Sequence, residues 1–95
     1  MALETRPFDP ADFLETPDDI AAYLEEAFAD GDPALIAAAL GDAARARGMA
    51  RIATDAGVSR ESLYRSLSEA GNPELATVLK VMKALGLRLR PVAQG

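Results

Sequence analysis

Apolar residues recur along this chain at helical spacing, in blocks separated by breaks that contain proline or glycine. In the first long block Ile20, Tyr23, Leu24, Ala27 and Phe28 fall at i, i+3, i+4, i+7 and i+8, a single helical stripe. Asp18, Asp19, Glu25, Glu26 and Asp30 take the other positions. Thr16-Pro17 opens this helix: the hydroxyl can accept a free backbone N–H, and proline's fixed φ suits the first helical residue. Gly31 can end it. Asp9-Pro10 is the same start signal over a shorter turn that carries Phe13 and Leu14, whereas Met1 to Arg6 shows no pattern and is expected to fray. Asp32-Pro33 starts an alanine-rich helix running to Arg47, with Ile36, Leu40 and Ala43 or Ala44 inward and Gly48 as its stop. Asn72-Pro73 starts the last helix, whose stripe reads Leu75, Val78, Leu79, Met82 and Leu85, with Gly86 as its end. Leu87-Arg88-Leu89-Arg90 then alternates apolar and charged, the period of a half-buried strand, and Pro91 limits pairing beyond it. A lone strand needs a partner, and a second copy of the chain can supply one. Leu87 and Leu89 are therefore candidates for a C2 homodimer contact; otherwise they pack on the helices.

Between these blocks lies the stretch on which the rest depends, Met49 to Leu67. Ile52, Ala53 and Ala56 give a short apolar face, with Ala53 small enough for two helices to cross closely. Gly57 follows where the chain must turn and a left-handed backbone is cheapest for glycine. Val58 can plug the angle between the helices, and Ser59 is placed to cap a second helix held down by Leu63 and Leu67. Arg60, Glu61, Ser62, Tyr64 and Arg65 face outward. The pattern predicts a helix-turn-helix, the unit that sets one helix in the major groove of DNA; a helical hairpin with no DNA role has some of the same features. The fold class is thus all-α: five or so helices, an N-terminal helical arm (residues 1–31), a body (residues 32–95) and a short C-terminal strand.

Charge refines this picture. The chain of 95 residues has a net charge of −5, but residues 1–32 hold ten acids against the single base Arg6, a net −9, while residues 33–95 carry nine bases and five acids, a net +4. Such asymmetry points to two partners of opposite sign. With no cysteine and no histidine, a thiolate metal site and the commonest general base are both unavailable. Glu25-Glu26 and Asp18-Asp19 are adjacent and diverge on a helix, so they form no acid–base pair, and no phosphate-cradling glycine loop is present. Neither a secretory start nor a run of about 18 apolar residues is present. A cytoplasmic binding protein without enzymatic activity or cofactor is expected.

The run from Asp32 to Leu89, and within it ARARGM, GVSRESLYRSLS and GNPELATVLKVMKALGLRL, resembles the addiction-module antidote proteins, HigA-like antitoxins with a lambda-repressor/Cro-like helix-turn-helix. The acidic start FDPADFLETPDDIAAYLEEAF fits the same pattern. The resemblance implies a small RelE/ParE-superfamily toxin as partner, neutralised by direct binding, and repression of the protein's own operon. A basic toxin would be drawn to the −9 segment, with Phe13, Ile20, Tyr23, Leu24 and Phe28 as candidate apolar anchors. A phage-repressor-like regulator without a toxin, and a helical interaction module without DNA, are the competing readings.

In the DNA reading, Arg60 and Arg65 offer fork-shaped donors to guanine O6 and N7. Ser59 and Ser62 can bond a base edge or a phosphate, and Tyr64 can stack on a sugar or donate to a phosphate. Glu61 can accept from cytosine N4 or pair with Arg65 one turn on. Arg45, Arg47 and Arg51, at or just before the first helix of the pair, are placed for backbone contact. Two copies would read half-sites about 34–36 Å apart.

Overall fold

A computed structural model describes residues 9–94. Met1 to Arg6, expected to fray, and Phe8 lie outside the described residues. A one-turn 3-10 helix, Pro10–Phe13, precedes α1 (Pro17–Asp30), α2 (Pro33–Arg47), α3 (Met49–Ala56), α4 (Arg60–Ser66) and α5 (Leu75–Ala84).

The start signals act as local chemistry dictates. Asp9 accepts from the Ala11 N–H and Asp32 from the Ala34 N–H. Thr16 and Asp19 form a reciprocal capping box, each side chain accepting the other's backbone N–H, at 3.1 Å both ways. The fourth signal is displaced. α5 begins at Leu75 with Glu74 as its N-cap and no side-chain cap bond, two residues beyond the expected Asn72-Pro73 start.

α2 is the central helix. The 3-10 turn, α1, α3 and α4 all pack on it, which is why it buries small residues on several sides: Ala37, Ala39, Gly41, Ala43 and Ala44 as well as Leu40. Gly41 permits the closest approach. A Cβ there would lie 2.2 Å from the Leu67 carbonyl oxygen at the end of α4, and one on Gly71 would lie 2.1 Å from the Ser66 carbonyl oxygen. The C-terminal end of α4 is thus clasped between two glycines. Ile20 and Leu24 of α1, Leu40, Ile52, Leu63 and Val81 meet in one core, so the acidic N-terminal helix shares the hydrophobic centre of the body. A polar clasp reinforces this at the rim. Asp42 accepts from the Tyr23 hydroxyl and from Arg45 (2.6 Å), and Arg45 also pairs with Asp9 (3.0 Å). Replacing Asp42 by Ala removes the acceptor that joins α1 to α2. A loss of about 1–2 kcal/mol is expected in urea unfolding.

α5 packs on α3 with a face rotated from the expected one: Val78, Met82 and Leu85 turn inward as expected, while Val81 is buried in place of Leu75 and Leu79. Val81 is fully buried and Met82 and Leu85 nearly so, whereas Leu75 is 68% and Leu79 46% exposed. The stretch LATVLKVMKAL carries two overlapping stripes at helical spacing, and docking against α3 selects the one centred on Val81. Val81→Ala should therefore cost about 2 kcal/mol or more, while Leu75→Ser should stay within about 0.5 kcal/mol of the parent. Thermal melts of the two variants compare them directly.

The expected C-terminal strand is not formed: among the described residues there is no strand. Gly86, at φ 82°, closes α5 instead, with its N–H donating to the Lys83 carbonyl and that of Leu87 to the Met82 carbonyl. These two bonds bend the chain back along the helix rather than into a ladder. Leu87 is half-buried against the core, while Leu89 stays exposed. The following residues lie along α1, forming a groove with Ala21, Leu24, Phe28 and Met82.

Candidate functional site

The pair α3–α4 is built by its connecting turn. Gly57 adopts φ 73°, and its N–H donates to the Thr54 carbonyl at 3.1 Å. The Val58 N–H reaches back to the Ala53 carbonyl, and the Val58 side chain packs on the core. Ser59 then caps α4, its hydroxyl oxygen accepting the Ser62 N–H at 3.0 Å. Ala53, Ala56, Leu63 and Leu67 are buried beneath. The angle of α4 is therefore set by one left-handed glycine, one plug and one cap, with no charged side chain among the described residues bonded across the turn.

Because the holding is done from below, the outer face of α4 is left to polar groups. Ser59, Arg60, Glu61, Tyr64 and Arg65 are all exposed. The Arg60 guanidinium lies over the Tyr64 ring, 5.6 Å from its centroid. Glu61 and Arg65 form no ion pair with each other among the described residues, so both keep their hydrogen-bonding edges for an incoming group. Ser62, expected to face outward with them, is placed differently. It is half-buried and lines the crevice between α4 and the start of α5, with Val58, Asn72 and Thr77.

The three arginines around the start of α3 separate. Arg51 is exposed on α3. Arg47 is turned toward the N-terminal segment, its guanidinium donating to the Glu15 carbonyl at 3.5 Å. Arg45 is held by Asp9 and Asp42. Asp42 stands at the i,i+3 spacing of helix neighbours, but Asp9 lies 36 residues away and spacing gave no sign of it.

The candidate anchors on the acidic segment also divide. Ile20 (0% exposed) and Leu24 (2%) are core residues and offer no surface to another protein. Phe13 is 61% exposed, and Tyr23 and Phe28 are half-buried against the core. Asp18, Asp19, Glu25, Glu26 and Asp30 are exposed along α1. Leu87 and Leu89, the candidate dimer contacts, border the groove beside α1, where Arg88, Arg90 and Val92 also lie.

These features define a class: a small all-helical protein with an acidic helix packed on its body and a short helix that presents arginines outward. No described helix is long and apolar enough to cross a membrane. The chain belongs to the family described as probable addiction module antidote proteins, which matches residues 4–93. It is similar to a protein of Haemophilus influenzae described only as uncharacterized, with 50% identity over 90 residues, covering 95% of this chain and 93% of that relative. No solved structure matches the chain. Membership in an antidote family implies a toxin partner of some kind.

Proposed function

We propose that this protein is the antitoxin of a type II toxin–antitoxin module, neutralising a RelE/ParE-like toxin by direct binding and repressing its own operon through sequence-specific DNA binding. The observation that carries the reading is the match to an antidote family over residues 4–93. The DNA part is supported by the outer face of α4. In this reading α3 and α4 are a helix-turn-helix of the lambda-repressor kind, with α4 in the major groove. Arg60 and Arg65 address guanine edges, Glu61 a cytosine amino group, and Ser59 and Arg51 the backbone. Arg47, engaged with Glu15, would have to exchange that carbonyl for a phosphate. The protein acts by binding, in the cytoplasm, as a homodimer in which the tails bearing Leu87 and Leu89 take part.

Toxin recognition falls to what α1 and the preceding turn leave accessible: the exposed carboxylates, Phe13 and the outer edges of Tyr23 and Phe28. Exposed carboxylates speed encounter with a basic surface, and aromatic edges supply short-range contact.

Co-expression with the product of the neighbouring gene tests the central reading. A stable complex, and growth rescued only when both are present, are expected. If the neighbour neither binds nor harms the cell, while a gel shift on the upstream DNA persists, the protein is a plain repressor. Steep weakening of that shift with salt is expected from phosphate contacts.

A further inference from the structure

We infer that Tyr64 is a positioning residue for base recognition, its ring holding the Arg60 guanidinium ready for a base edge before DNA arrives. The inference rests on the DNA reading of α4 given above. Arg60 is the first residue of α4 and Tyr64 lies one turn on. Helical side chains lean toward the N-terminus, so the ring at 64 comes beneath the side chain at 60. The distance of 5.6 Å from the guanidinium carbon to the ring centroid lies within cation–π range. Tyr64 also borders a cleft among α2, α3 and α4, beside Ala38, Gly41 and Met49.

The chemistry of the stack suits this task better than an ion pair would. A carboxylate partner occupies the N–H edge of a guanidinium, the edge that guanine O6 and N7 require. A ring engages the face and leaves the in-plane donors unspent. Among the described residues Arg60 has no carboxylate partner. Arginine otherwise loses considerable rotamer freedom when it is fixed on a ligand, and a side chain ordered in advance loses less. Tyr64 thereby gains a role in sequence choice without touching a base.

A double-mutant cycle on the full-length protein tests this, read as binding to a duplex selected from a randomised library and to an unrelated duplex of equal length. Tyr64→Leu fills similar space without a π face; Tyr64→Phe keeps the face and drops the hydroxyl. Tyr64→Leu should weaken the selected complex about two- to fivefold more than the unrelated one, and this selective part of the loss should vanish in an Arg60→Ala background. Tyr64→Phe should behave as the parent. Equal selective losses with and without Arg60, no selective loss at all, or a loss in Tyr64→Phe matching that in Tyr64→Leu would overturn the positioning role. A parent protein that selects no sequence, or an Arg60→Ala protein that binds like the parent, removes the underlying DNA reading as well. The two failures are therefore told apart by the Arg60→Ala arm.

Discussion

Gly41→Ala is expected to destabilise the protein by about 2–3 kcal/mol, seen as a melting temperature lower by roughly 10–20 °C. The sign is the sharp part of this expectation. Alanine is a better helix former than glycine by about 1 kcal/mol, so helix propensity alone argues for a gain. Packing argues the other way, and its magnitude is larger. The new methyl would lie 2.2 Å from the Leu67 carbonyl oxygen, a backbone atom with no rotamer through which to step aside. Relief requires α4 to move away from α2, and Leu63 and Leu67, both buried, move with it. Circular dichroism melts of parent and variant decide the matter. An unchanged or raised midpoint would mean that α2 and α4 are not in backbone contact. Because Gly41 also borders the cleft beside Tyr64, the same substitution should weaken selective DNA binding beyond what lost stability explains.

Replacing Arg60 and Arg65 together by alanine is the second large effect. Loss of each base contact should cost about 1–3 kcal/mol, and the two are expected to add, which removes roughly a hundredfold or more of sequence-selective binding. The salt dependence of binding should change little, since it counts phosphate contacts. Arg51→Ala should do the converse, lowering the log–log salt slope by about 1 while leaving sequence choice intact. Both variants should melt like the parent, because all three side chains are exposed and none is in an ion pair among the described residues. A double variant that keeps its sequence preference would reassign the outer face of α4 to another partner.

The acidic helix illustrates how chain pattern and packing share the outcome. Its stripe at Ile20, Tyr23, Leu24, Ala27 and Phe28 is visible in the spacing, and so is the polar face opposite. Spacing cannot say whether such a stripe is covered by the chain's own body or by another protein. The body covers it: Ile20 and Leu24 are spent in the core, and what remains for a partner is the carboxylate face with Phe13 and the edges of two aromatics. In the clasp of Asp9, Asp42, Tyr23 and Arg45 only the Asp42–Arg45 pair, three apart on α2, is legible in sequence; the links to Tyr23 and Asp9 join separate elements and are not.

Local chemistry alone decided where most of these helices begin and end. Asp9, Thr16, Asp32 and Ser59 accept backbone N–H groups two or three residues ahead, and Gly31, Gly57 and Gly86 turn the chain at positive φ. Those interactions span a few residues, so the order of residues contains them in full. Contacts between distant segments decided the rest. α3 chose the Val81 stripe of α5 over the Leu75 and Leu79 one. Leu67 made Gly41 indispensable, and the bend at Gly86 laid the tail along α1, leaving Leu87 to Arg90 without a strand partner among the described residues. The physical reason is the same in each case: a period of 3.6 residues shows that a helix has an apolar face, but only the surface it docks on selects among faces of nearly equal hydrophobicity.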